Sequence, residues 1–382
     1  MSTEATIEEK KPRKKSLLLR ALWLLLASLL FVIGLLLVAW AAGAIYFDLP
    51  ASAPVRNAAA IFWVVAAALL GLFGGSRGRI LILVAFAGIL AWWLTLRPTQ
   101  DADWQPDVAR LAYTTLQGHQ LTVHEIRDFD YRSATDFTPR YDTRVFNLTN
   151  LRGVDLFIDY WGSPYIAHPI VSFDFGAQGH LCFSIEIRPK VGQPYSVLAG
   201  LYRRYELIYV AADERDVIRL RTNCKHEDVY LYRLTLPLRD VRTRLMEYLT
   251  RLNELHQRAG WYNQVTDNCT TSIRAQHPSS HRMPFDWRML VNGFMDQMLY
   301  EKHLLAGNLP FAGLKRRALI NERALARSRR CSRFFRKNSC RSSGILARCR
   351  GRVGVSGEES FHSNKDEKPG RNGDAPHPVF VG

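Results

Sequence analysis

Three apolar runs crowd the start of this chain, and they constrain everything after them. Leu17–Phe47 carries Arg20 as its one charged residue, and Ala58–Gly75 and Ile80–Leu96 follow closely. A bilayer-spanning helix needs about 20 apolar residues, with a range near 17–25. The first run is ample and the other two are adequate. A signal peptide fits poorly, because its apolar core is shorter and is not followed by two more. In lipid the backbone must satisfy its own polar groups, so runs of this composition read as helices.

Orientation follows from the basic residues. Lys10, Lys11, Arg13, Lys14 and Lys15 precede the first run, and Arg77 and Arg79 lie between the second and third. The first link has Arg56 alone, offset by Asp48. The positive-inside rule puts the N-terminus and the Arg77/Arg79 link in the cytoplasm. Three crossings then deliver everything after Arg97 to the far side, which in a bacterium is the periplasm. A two-span hairpin with a cytoplasmic domain is the rival arrangement. The division expected is a basic cytoplasmic segment at 1–16, a three-helix anchor at 17–96, a periplasmic domain at 97–323 and a basic tail at 324–382.

Beyond a polar link at Pro98–Asp107, the region running to about Asn321 is long enough to bury one substantial core. Leu156–Trp161, Ile170–Phe175, Leu181–Arg188, Leu207–Val210 and Val229–Leu234 have strand composition. Gly176–Gly179 reads as a hairpin connection. Along Leu181–Arg188, Phe183, Ile185 and Ile187 share one face, and Cys182, Ser184, Glu186 and Arg188 share the other. In Leu238–Ala259, Val241, Leu245, Tyr248, Leu249, Leu252 and Leu255 form one helical stripe. Phe285–Leu305 is a second expected helix. Strands first and helices later favour an α+β fold over an alternating parallel sheet.

Cys269 is the leading candidate for chemistry. It follows Trp261-Tyr-Asn and Asp267-Asn268, at the expected opening of a helix. A thiol there meets unpaired N–H groups and the positive end of the helix dipole, which favour the nucleophilic thiolate. A thiol nucleophile needs a base, usually a histidine held by a further group. Of the histidines between His119 and His303, His168 is best placed, at the edge of an expected strand. Glu186, on the paired strand, could accept a hydrogen bond from the imidazole. The bland alternatives are a simply buried cysteine and an ordinary edge-strand histidine. His180 with Cys182, and Cys224 with His226, form i, i+2 pairs. They could build a zinc site, although their spacing is unlike the usual metal knots. A Cys182–Cys224 disulfide is an equal alternative in an oxidising compartment.

These motifs carry a resemblance. Phe129-Asp-Tyr-Arg-Ser-Ala-Thr-Asp-Phe-Thr-Pro-Arg, Leu151-Arg-Gly-Val-Asp-Leu-Phe, Tyr160-Trp-Gly-Ser-Pro-Tyr-Ile-Ala-His-Pro-Ile-Val-Ser-Phe, Phe183-Ser-Ile-Glu-Ile-Arg, Tyr205-Glu-Leu-Ile-Tyr-Val-Ala-Ala-Asp-Glu-Arg-Asp and Asp267-Asn-Cys-Thr-Thr occur in that order. From about Phe129 to Glu322 the chain resembles the Lnb N-terminal periplasmic domain family, in a subgroup with three membrane helices ahead of the domain. The resemblance implies a circularly permuted papain-like, NlpC/P60-type α+β fold with the histidine ahead of the cysteine. His168 and Cys269 match the family's histidine and cysteine. Glu186 and Asn268 also fall within matching motifs; the orienting role of Glu186 and a part for Asn268 beside the thiol are inferred from their positions in this sequence.

The family's namesake is a lipoprotein intramolecular transacylase, so the resemblance implies a thioester on Cys269 and proton transfer by His168. Such chemistry calls for no metal and no cofactor. The expected partners are a membrane lipid or lipoprotein substrate and the inner membrane, and not nucleic acid. In the namesake the soluble domain precedes the membrane part, the reverse of the order here, which leaves room for a different substrate. A thiol amidase or peptidase acting on cell-wall peptides is the rival enzyme, and a non-catalytic lipid- or lipoprotein-binding factor the rival outside catalysis.

From Arg327 the composition changes abruptly. Between Lys315 and Arg352, fourteen lysines and arginines face Glu322 alone, which supplies +13 of the net charge of +16. A run of this kind usually reads as a disordered tail for nucleic acid or anionic lipid. Beyond a membrane, with Cys331, Cys340 and Cys349 unmatched and no apolar period, a frameshift near Ala324–Arg327 is the expected origin. Translation of the other two DNA frames tests it.

Overall fold

The computed structural model describes residues 14–266, 286–289 and 291–326. Three helices are long and apolar enough to cross a membrane: α1 (Lys14–Asp48), α2 (Ala53–Phe73) and α3 (Gly75–Thr95). At 1.5 Å rise per residue, the 35 residues of α1 reach about 52 Å, well beyond a hydrocarbon core of about 30 Å. The link between α2 and α3 shrinks to a turn at Gly74 and Gly75, so Arg77 and Arg79 lie in the first turns of α3 rather than in a loop. Gly75 takes a positive φ of 55°, and a Cβ at Gly78 would lie 2.2 Å from the Leu70 carbonyl oxygen, so small residues permit the tight reversal.

The domain is built on one mixed sheet. Its strands are β1 (Tyr113–Gln117), β2 (Gln120–Arg127), β5 (Tyr141–Asn147), β6 (Gly153–Tyr160), β7 (Ala167–Asp174), β8 (His180–Arg188), β9 (Glu206–Ala212) and β10 (Asp228–Arg233). Two short strands, β3 (Asp130–Tyr131) and β4 (Phe137–Thr138), pair separately. The order is β1-β2-β9-β8-β7-β6-β10, with β5 also on β2. All contacts are antiparallel except β2 with β9, which pair in parallel at Arg127 and Ala212. The architecture is α+β, as the order of strands and helices predicts.

Each face of the sheet is covered differently. One face, with Phe173, Phe183, Ile185, Tyr209 and Ala211, packs against α5 (Leu238–Gln257). The buried stripe of α5 is Val241, Leu245, Tyr248, Leu249, Leu252 and Leu255, the stripe that helical spacing predicts. The other face carries Phe157, Ile170, Cys182, Ile208, Val210 and Val229. It is roofed by α4 (Glu214–Arg219) with Val217 and Ile218, and by Ile320. Beyond α4 the backbone widens into a π-helical turn, Leu220–Lys225, ended by His226 in the left-handed region at φ 57°.

The expected single helix over Phe285–Leu305 is replaced by short turns at Trp287–Met289 and Asn292–Phe294 and a two-turn helix, α6 (Met295–Glu301). Gly293 explains the break. Its backbone presses on the loop before β7, where an added Cβ would lie 2.2 Å from the Pro164 carbonyl oxygen. Its N–H donates to Tyr165 O and its own carbonyl accepts from the Tyr160 hydroxyl. A final helix, α7 (Phe311–Ala318), supplies Lys315, which pairs with Asp296 at 2.8 Å and donates to the Tyr160 hydroxyl. Lys315 is thus one positive charge of the basic stretch that belongs to the folded domain. The tail from 327 onward lies outside the described residues.

Candidate functional site

His168 is on β7, opposite Asp159 of β6 in the ladder. The β7–β8 hairpin pairs Ile170 with Ser184, so its register carried two residues further aligns His168 with Glu186. All four side chains belong to the face roofed by α4 and the π-helical turn. His168 Nε2 lies 2.7 Å from Ser184 Oγ, and Ser184 Oγ donates to Glu186 Oε1 across 2.6 Å. The direct distance from His168 Nε2 to Glu186 Oε1 is 3.9 Å. Glu186 therefore reaches the imidazole through Ser184.

That chain of bonds assigns the tautomer. A hydroxyl has one proton, and Ser184 gives it to an ionised carboxylate that can only accept. Ser184 must then accept from His168 Nε2–H, which leaves the lone pair on Nδ1. The ionisation states agree. Burial, reinforced by the Arg221 charge, lowers the His168 pKa to about 3, so the ring is neutral. Burial opposes the charged form of Glu186 too, but Arg221 and Arg127 outweigh it and hold its pKa at about 2.

Arg221 is the hub of the charges. Its guanidinium lies 3.2 Å from Asp159, 3.4 Å from Glu186 and 3.3 Å from Glu227. The π-helical turn sets it over the sheet, where it sits largely buried. Asp159 is wholly buried, and burial raises its pKa to about 8 against the pull of Arg221, helped by the neighbouring Glu227. Ser184 and Arg221 are functional candidates that sequence reasoning missed. Ser184 shares its strand face with Glu186, so the parity of β8 is a signal for it. Arg221 has no such signal, because only the fold brings its turn over β7 and β8.

Cys269 and Asn268 lie outside the described residues, but the chain on either side of them is placed. Upstream, Tyr262 N–H donates to Tyr205 O and Gln264 N–H to Gly200 O, and Asn263 Oδ1 caps Val265 and Thr266. Downstream, Asn292 Oδ1 accepts from Ala167 N–H, one residue before His168. Both flanks therefore adjoin the same sheet end, where β7 and β9 begin and β6 and β8 finish. Trp161 and Tyr195, with ring centroids 6.0 Å apart, and Tyr195 stacked on Tyr205, span that end.

The same end meets the anchor. Asp48, at the close of α1, accepts from the Trp93 indole and from Arg203 N–H. Arg203 donates to the carbonyls of Trp93, Leu94 and Leu96 at the close of α3, and Arg204 donates to Phe47 O. Glu206, the first residue of β9, accepts from Thr99 N–H. His168 thus sits toward the sheet end from which the apolar helices emerge.

The other cysteines are not joined. Cys182 and Cys224 are free thiols, which corrects the disulfide expectation. Cys182 is buried beneath α4, and burial pushes its thiol up, whereas Cys224 packs with Phe129, Tyr131 and Leu220. The zinc alternative fails for the same reason: Cys182 and Cys224 belong to separate packing clusters. His180 lies instead 3.7 Å from Asp174 and 3.9 Å from Glu214, and among the described residues no three His, Cys, Asp or Glu side chains converge as a metal would need.

Residues 137–293 match the family model described as the Lnb N-terminal periplasmic domain, a span that includes His168, Ser184, Glu186, Arg221 and Cys269. No curated protein and no solved structure matches the chain. The three apolar helices ahead of the domain fit the arrangement expected of the subgroup. Residues 137–293 are thus similar to the Lnb N-terminal periplasmic domain, and three apolar helices long enough to cross a membrane precede them.

Proposed function

We propose that this protein is a multi-pass inner-membrane thiol acyltransferase or hydrolase whose domain works in the periplasm on an acyl ester of a lipoprotein or lipid. Cys269 is the nucleophile and His168 the base. One observation carries the reading: His168 is neutral, oriented by Ser184 and Glu186 with Nδ1 left as acceptor, at the sheet end beside the anchor. Cys269 is three residues past Thr266, so the chain can carry it at most about 11 Å from that residue.

His168 Nδ1 takes the thiol proton as the sulfur attacks the ester carbonyl. The carbon–oxygen bond breaks, the alcohol leaves with the proton returned by His168, and the acyl group stays as a thioester on Cys269. An amine or water then attacks the thioester, His168 again accepts a proton, and the thiol is regenerated. Asn268 adjoins the nucleophile, and backbone N–H groups near the thiol supply the usual means of stabilising the oxyanion.

Mass spectrometry of lipoproteins and lipids from cells carrying the Cys269→Ala or the unaltered chain tests this reading. Loss of an acylated product at equal protein abundance supports it. Unchanged lipoproteins and lipids with altered cell-wall peptides would assign the site to amidase chemistry, and no change in either would leave a binding role.

A further inference from the structure

A groove of about 400 Å3 opens between α1 and α2, within the range of small-molecule sites. It is lined by Ala42, Gly43 and Tyr46 of α1 and by Ala60, Ile61 and Val64 of α2. Small side chains make it: alanines and a glycine stand where larger residues would close the helix pair. The domain reaches its edge. The Tyr202 ring lies so close to Gly43 that an added Cβ would sit 1.9 Å from the phenol oxygen.

One turn above the groove the chemistry changes. Arg56, Ala60 and Val64 fall at i, i+4 and i+8 on α2, so Arg56 continues the groove-lining face to the domain-side end of the anchor. Arg56 Nη1 donates to Ala51 O, while its Nε is buried with no hydrogen-bond partner. Arg204 is near enough for the Arg56 charge to depress its pKa, after the larger effect of burial. Tyr205, Asp48 and Glu206 act in the opposite sense on Arg204, and neither Arg56 nor Arg204 is in a salt bridge among the described residues. Arg204 Nη1 donates to Phe47 O at the end of α1 and Arg56 Nη1 to Ala51 O in the α1–α2 link, so both guanidiniums belong to one turn of the anchor, where like charges repel unless an anion joins them.

We propose that this cleft holds an anionic phospholipid, with the headgroup phosphate between Arg56 and Arg204 and one acyl chain along the groove. The two halves match one molecule: a charged end at the interface and an apolar tail in the hydrocarbon, in line on one helix face. The site is separate from His168 and does not rest on the thiol reading.

The test is native mass spectrometry of the full chain released from nanodiscs of phosphatidylglycerol mixed with phosphatidylcholine. The expected result is retained phosphatidylglycerol, at least about tenfold enriched over phosphatidylcholine, since a tenfold preference needs only about 1.4 kcal/mol. The paired change Arg56→Gln and Arg204→Gln abolishes the enrichment, and the Arg56→Lys and Arg204→Lys pair retains most of it. Ala60→Leu, which fills the groove, lowers retention of both lipids. Equal retention of the two lipids by the unaltered chain would overturn the proposal. So would unaltered phosphatidylglycerol retention in the Gln pair, or displacement of the lipid by glycerol phosphate as effectively as by the lipid itself.

Discussion

The Ser184 hydroxyl stands between His168 and Glu186, accepting from the one at 2.7 Å and donating to the other at 2.6 Å. Replacing it with alanine removes the link without touching the ring or the carboxylate. Ser184→Ala should lower the acyl-product rate by up to about 100-fold, and His168→Ala by about 100-fold to 10,000-fold, the range for a general base. Product mass spectrometry at matched protein levels measures both. A Ser184→Ala rate equal to the parent rate would remove Ser184 from the relay.

The acid limb of the pH–rate profile follows from His168. Burial and Arg221 lower its pKa to about 3, so the base stays neutral well below its ordinary 6.5. His168 should therefore produce no inflection near pH 6.5. Replacing Arg221 with methionine removes the second cause and should move any acid inflection upward.

Arg221→Met should also destabilise the domain, by about 3–5 kcal/mol, because it strands the carboxylates of Glu186 and Glu227 in a buried site. Thermal unfolding in detergent reads this. Adding Glu186→Gln to that variant should recover part of the loss, since the ionised buried carboxylate disappears.

Glu214 gives stability a pH dependence of opposite slope to an ordinary carboxylate. It is buried against Ser172, which donates to it at 2.7 Å, and burial raises its pKa to about 8 despite that bond. The folded state keeps the proton while the unfolded chain loses it near 4.5. The contribution is complete below about pH 4.5 and is lost as pH rises through 8. Against Glu214→Gln, the parent's melting temperature should fall across that window. Parallel curves for the two chains would contradict the assignment.

Gly293→Ala should disturb the site from a distance. The new Cβ would lie 2.2 Å from Pro164 O, and the clash is with backbone of the loop that leads into His168. Loss of the acyl product, together with a lowered melting temperature, is the expected outcome.

Much of this fold can be read directly from local patterns. The lengths of the apolar runs specify α1 to α3, because a bilayer rewards continuous apolar helix. The α5 stripe and the β7–β8 hairpin follow from period and turn chemistry, and the hairpin places His168 and Glu186 on one face. β1, β2 and β5 carry mixed polar residues at the sheet's branched edge and give no comparable pattern. The break at Gly293 is invisible for another reason: the loop that forces it lies more than a hundred residues away.

By itself, the sequence determined the anchor, the α+β order, and the pairing of a strand histidine with a later cysteine as the candidate chemistry, since periodicity and motif order are local properties. Tertiary structure alone decided that Ser184, not direct contact, joins His168 to Glu186, and that Arg221 gathers Asp159, Glu186 and Glu227. Packing also kept Cys182 and Cys224 apart. These are matters of ångström distance between residues far apart in the chain, set by how α4 and its π-helical turn pack on the sheet.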